Sequence, residues 1–172
     1  MASVRFAHRR ARVCSLAVTR PVVWAVAVCL AAAALEGVLA GRGVRRRLTG
    51  LRQPRYSPPF AVWVAIGVGY YVIAAVVLAR ALDAPPSGLR WIVLSLISAL
   101  LLMNALWNLA FFRLKHLTVA AIIAVAYAPV AVSLMVMLAG ADPVSAWVFL
   151  PYVVYLGYAA WWILSLRRLN RT

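Results

Sequence analysis

A chain of 172 residues that is 66% hydrophobic and 12% charged has too few charges to cover a water-facing globule, since ordinary soluble domains are about 25% charged. The composition is that of an integral membrane protein, and the length suits one helical bundle without a separate soluble domain. The net charge of +15, from 18 basic residues against Glu36, Asp83 and Asp142, would also suit nucleic acid; most of the arginines flank apolar segments, where they set topology and meet lipid headgroups, so no nucleic-acid partner is expected.

Residues 1–20 form a basic, acid-free tail with Arg5, Arg9, Arg10, Arg12 and Arg20. The apolar run 22–40 comes next. Together they have the outline of a signal peptide, with small residues near Val38-Leu39-Ala40. The run is longer than the apolar part of a signal peptide and close to spanning length, which favours a first transmembrane helix. Glu36 sits near its end. An acid there either serves function inside the membrane or reaches the interface beside Arg42 and Arg45; the interface is the expectation.

Residues 41–59 read as a polar connection. Gly41-Arg42-Gly43 stops the helix, Arg45-Arg46-Arg47 form a cationic cluster, and Pro54, Pro58 and Pro59 exclude a helix interior. The Pro58-Pro59 pair suits the first turn of a second helix over about 60–79. There Ala61, Ala65 and Gly69 repeat every four residues and would admit a close neighbour. Trp63, Tyr70 and Tyr71 either face a pocket or join the interfacial aromatic belt; the belt is the expectation for any single one.

A third helix is predicted over about 91–112, a fourth over 117–139 and a fifth over 144–166. The domain is thus an all-α, five-transmembrane-helix bundle over residues 21–172. The third helix carries Asn104, Trp107, Asn108 and Phe111 at spacings of three and four, on one face. Asparagine gains nothing from lipid, so this face should look into the bundle. The fourth helix has small residues at Ala120, Ala124 and Ala128, and Pro129 as a kink point. The fifth carries Tyr152, Tyr155 and Tyr158 as an aromatic stripe.

Lys and Arg number six, two and three in the first loop, third loop and C-terminal segment, against two and none in the second and fourth loops. The positive-inside rule places the C-terminus in the cytoplasm, with the tail arginines opposing. Cys14, Cys29, His8 and His116 lack metal-ligand spacing, and neither a metal nor a cofactor is expected. No Ser-His-Asp set or paired carboxylates occur, so no catalytic residue is assigned.

A flat apolar ligand would gain from stacking on Trp107, Phe111, Tyr152 and Tyr155, with Asn104 bonding a polar edge. Aromatics at this spacing also simply pack helices, and asparagines also bond across them. On spacing alone the packing reading is the favoured one.

Three blocks resemble the TspO/MBR family, the translocator or tryptophan-rich sensory proteins. Leu51-Arg52-Gln53-Pro54 with Tyr56-Ser57-Pro58-Pro59 is similar to L-x-K-P-x-W-x-P-P. Asn104, Trp107, Phe111 and Phe112 match L-N-x-x-W-x-x-x-F-F. Pro151-Tyr152 through Tyr158-Ala159 to Arg168-Leu169-Asn170 matches P-Y-L-x-W-x-x-F-A ending in W-R-L-N. The likeness covers about residues 48–170. It implies a membrane protein that binds porphyrin, haem, sterols or other bulky apolar ligands, often as a homodimer, with a regulatory, sensory or transport role. The alternatives are a transporter of such ligands or an intramembrane porphyrin-degrading enzyme. Pro58, Trp63 and Ala159, which lie in or beside the matching blocks, join Asn104, Trp107, Phe111, Tyr152 and Tyr155 as candidate ligand contacts. The family's pocket tryptophans fall at Gly67 and Tyr155 here, its last-helix asparagine at Ile163 and its helix-three glutamine at Leu100. Porphyrin breakdown is therefore not expected. The Ala, Val and Arg bias suits a bacterium and its cytoplasmic membrane.

Overall fold

A computed structural model describes residues 2–170, with side chains from Arg20 onward. The side chains of Arg5, His8, Arg9, Arg10, Arg12 and Cys14, and the whole of Arg171, lie outside the described residues. The elements are α1 (Ala2–Ala40), α2 (Val44–Thr49), α3 (Phe60–Asp83), α4 (Gly88–Asn108) continued by a π-helical turn (Leu109–Arg113), α5 (Leu117–Ala141) and α6 (Pro143–Leu169). Among the described residues, five segments are long and apolar enough to cross a membrane: Arg20–Ala40, Phe60–Asp83, Gly88–Arg113, Leu117–Ala141 and Pro143–Leu169. The protein is an all-helical, membrane-spanning five-helix bundle.

The helices outrun the apolar stretches that predict them. The third starts at Gly88 and the fifth ends at Leu169, three residues beyond the expected bounds in each case. An apolar run marks the hydrocarbon depth, whereas a helix continues through the headgroup layer until a cap or a proline stops it. The stops are visible. Gly41 and Gly43, at φ of 69° and 94°, take left-handed turns after α1. Pro59 precedes α3 in an extended conformation. Ser87, His116 and Asp142 accept backbone N–H bonds from Arg90, Val119 and Ser145 at the starts of α4, α5 and α6. Pro129 and Pro151 lie inside α5 and α6, which run through them.

The neighbours in the bundle run α1, α4, α5, α6, α3 and back to α1, with α3 also touching α4. The short link after the π turn makes α4 and α5 antiparallel neighbours, as the sequence predicts. The expected close approach on Ala61 and Ala65 is not made within the chain. Both are exposed, because α3 turns its Tyr70, Ala74 and Val77 inward instead. Ala120 is buried, Ala124 is half-buried, and Ala128 faces outward.

The three arginine-rich segments meet at one end. Arg47 donates to the carbonyl of Lys115 at 3.1 Å. Arg52 and Asn170 exchange two hydrogen bonds of 3.0 Å. The other end carries the Arg80–Asp142 ion pair. The first loop is more ordered than a polar connection. Its arginine cluster forms α2, which exposes Arg45 and Arg46 and turns Val44 and Leu48 toward the bundle.

Two apolar cores result. One gathers Ala74, Val77, Ile97, Leu100, Leu134 and Phe149 toward the Arg80 end. The other gathers Leu48, Phe111, Ala120, Trp162, Ile163 and Leu166 under the first loop. The space between them is where the aromatic and amide side chains converge.

Candidate functional site

Between the two cores lies a cavity of about 230 Å³, walled by α1, α2, α3, α4 and α6. A second of about 80 Å³ adjoins it and reaches α5. They share Trp63, Asn104, Trp107, Tyr152, Tyr155 and Trp162 as a common wall. The walls are mainly aromatic and aliphatic, with few polar groups, as small-molecule pockets usually are.

Each wall residue follows from local structure. Pro58-Pro59 sets the start of α3, and Trp63 then falls one turn in, its ring 4.6 Å from that of Trp162. Gly67 is one turn further along. A Cβ at Gly67 would meet no atom within 4 Å, so the missing side chain leaves open volume at the cavity wall. On α4, Asn104, Trp107 and Asn108 all face the cavity, as their spacing predicts. Tyr152 and Tyr155 on α6 close the far side.

Glu36 corrects the sequence reading. It does not reach the interface beside Arg42 and Arg45. It turns inward and lines the larger cavity. Its Oε1 accepts from Nδ2 of Asn104, and its Oε2 accepts from Nδ2 of Asn108 at 3.3 Å. Asn108 also donates to the carbonyl of Asn104 at 3.0 Å. The two asparagines, one turn apart, therefore hold a carboxylate from the neighbouring helix. The reason is rotational: α1 packs against both α3 and α4, and the face it offers them carries Ala25, Cys29 and Glu36. Spacings of four and seven among these three were the available signal.

Phe111 is a second correction. It is fully buried and lines neither cavity. The α-helix gives way to a π turn at Leu109, where the N–H of Leu114 bonds the carbonyl of Leu109 at 2.9 Å. A π turn adds a residue per turn and rotates the residues beyond it. Phe112 consequently takes the cavity position, and Phe111 moves under Trp107. Pro58 lines a separate groove beneath the first loop, and Ala159 lines the smaller cavity only. Arg52 and Arg55 are exposed and line neither cavity.

The first loop forms a tethered roof. Trp162 donates its indole N–H to Ser57 at 2.9 Å, and Ser57 donates to Gln53 at 2.8 Å. Gln53 donates in turn to the carbonyl of Leu48 on α2. Tyr158 donates to the carbonyl of Tyr56 at 2.8 Å.

The TspO/MBR family model matches residues 25–168, nearly the whole described bundle. The chain belongs to the TspO/MBR family. No curated protein matches it. The matched range of this TspO/MBR protein takes in the paired prolines before α3, the α4 asparagine–tryptophan face and the α6 tyrosine stripe. Within that range Gly67 opens the larger cavity and Tyr155 stands in the wall of both.

Proposed function

We propose that this TspO/MBR protein binds bulky, largely apolar aromatic molecules, tetrapyrroles among them, drawn from the membrane into the cavity between its two cores. One observation carries the reading: rings of Trp63, Trp107, Tyr155 and Trp162 converge on a single space that also holds polar groups. Such walls offer stacking and apolar burial to a flat ligand. A macrocycle of four pyrroles is larger than about 230 Å³, so the cavity would enclose only part of it. Its acidic substituents would point toward the arginine-rich first loop. The role is sensory, regulatory or transporting rather than catalytic. The protein sits in a bacterial cytoplasmic membrane with its arginine-rich end in the cytoplasm, and pairs as a homodimer.

The test is quenching of tryptophan fluorescence by protoporphyrin in detergent. Saturable binding, weakened in Trp107→Ala and Asn104→Ala with folding intact, is the expected result. Linear, unsaturable quenching would defeat the tetrapyrrole assignment. Loss of the porphyrin absorbance band on illumination or incubation would point to breakdown instead. Flux of the porphyrin across vesicles would mark a transporter.

A further inference from the structure

We infer that the Glu36 end of the cavity recognises a protonated nitrogen, so that the preferred ligand is an apolar or aromatic amine. The inference rests on the reading of this cavity as a binding site and names the ligand's charge.

Among the described residues, Glu36 is the one carboxyl group in either cavity wall, and no Lys, Arg or His lines them. It makes no ion pair among those residues, where the salt bridge joins Arg80 and Asp142. Arg113, which does reach α1, donates to the carbonyl of Val38 at 3.5 Å rather than to the carboxylate. Two neutral amides hold Glu36 by one N–H on each oxygen. A carboxylate has about four acceptor sites, so even with the Tyr71 hydroxyl close by the two oxygens keep acceptor capacity beyond the two amides. The amides orient the charge without neutralising it.

A carboxylate in a poorly solvated wall is costly until a cation pairs with it. The same cavity wall carries the rings of Trp63, Tyr70, Trp107 and Tyr155. Aromatic faces attract ammonium groups, and a carboxylate beside them adds a charge-assisted hydrogen bond. Tyr70 carries a buried hydroxyl without a hydrogen-bond partner, a further polar group that the protein itself leaves unsatisfied. An anionic group brought to the same place would meet like charge. The cavity thus discriminates by sign at one end and by flatness along its walls.

The experiment uses three naphthalene probes that share one ring system and differ in one substituent: aminomethyl, hydroxymethyl or carboxyl. Each is titrated against the full-length protein in detergent at neutral pH, read by tryptophan quenching, with wild type and Glu36→Gln. The amine should bind at least about tenfold more tightly than the carboxylate in wild type, the scale of one charge-assisted contact. In Glu36→Gln that preference should fall to about threefold or less, with alcohol binding still saturable. Equal binding of amine and carboxylate, or tighter carboxylate binding, overturns the inference while alcohol binding upholds the pocket. A preference that survives Glu36→Gln overturns the role of Glu36. Saturable binding by none of the three overturns the pocket and the inference together. If Glu36→Gln does not fold, the wild-type ratio alone decides.

Discussion

Trp107 lies flat on Phe111, with ring centroids 4.9 Å apart and planes 7° from parallel. One ring lines the cavity and the other is fully buried beneath it. The π turn after Asn108 makes this stacking possible, because it moves Phe111 off the cavity face. The pair divides labour between ligand contact and support, and the division can be measured. Phe111→Ala should lower stability by about 3–5 kcal/mol, the cost of a deleted core aromatic. Trp107→Ala should cost less stability and more ligand affinity. Thermal unfolding in detergent, set beside fluorescence titration, separates the two; similar losses on both readouts from both variants would contradict the division.

Gly67 is the simplest place to alter the cavity. Replacing it with Ala should be tolerated and raise stability by about 0.5–1 kcal/mol, since a helical glycine is otherwise a cost and the added Cβ meets nothing. Gly67→Trp should fill the cavity and abolish saturable binding of the naphthyl alcohol while the helix content by circular dichroism is kept. Undiminished binding in Gly67→Trp would place the ligand elsewhere.

The roof depends on a relay from Trp162 through Ser57 and Gln53 to α2. Ser57→Ala leaves the Trp162 indole N–H, in a buried ring, without its acceptor, at about 1–3 kcal/mol. Hydrogen exchange should rise across residues 44–57 and leave α5 unchanged. An exchange pattern identical to wild type would show that the relay does not hold the loop.

At the opposite end, two hydrogen bonds of 2.7 and 2.8 Å from Arg80, with a further one from Ser145, hold the Asp142 carboxyl well below the usual carboxylate range. A carboxyl depressed in the folded state stabilises it fully above its unfolded value of about 3.9, and the contribution is lost as pH falls toward the folded value. Stability should therefore decline below about pH 4 by an increment that Asp142→Asn removes. Arg80 is 44% exposed, so solvent screening keeps the effect near the 0–1 kcal/mol of an exposed pair, and added salt should shrink it further. Melting temperatures of wild type and Asp142→Asn from pH 3 to 7 would check this; parallel curves would remove Asp142 from the acid response.

The five spanning segments were legible because lipid demands long apolar runs, and the positions of Pro59, Ser87 and Asp142 fix where helices begin. The inward face of α4 was legible from Asn104 and Asn108, which lipid would not tolerate. Glu36 was not, because its own helix cannot say which way it is rotated; the partners that turn it inward lie 68 and 72 residues away. Phe111 was misplaced because a helical period is assumed constant, and one π turn breaks it. The short helix α2 was hidden by its arginines, although Val44, Leu48 and Leu51 already carry a helical spacing.

Asn170 clasps the backbone of Arg52 from 118 positions further along the chain. During synthesis the roof segment therefore leaves the ribosome long before its fastening exists. Until α6 has been made, the two bonds between Arg52 and Asn170 cannot form. Closure of the roof is thus a late event in biogenesis, and it reports that the final helix has arrived.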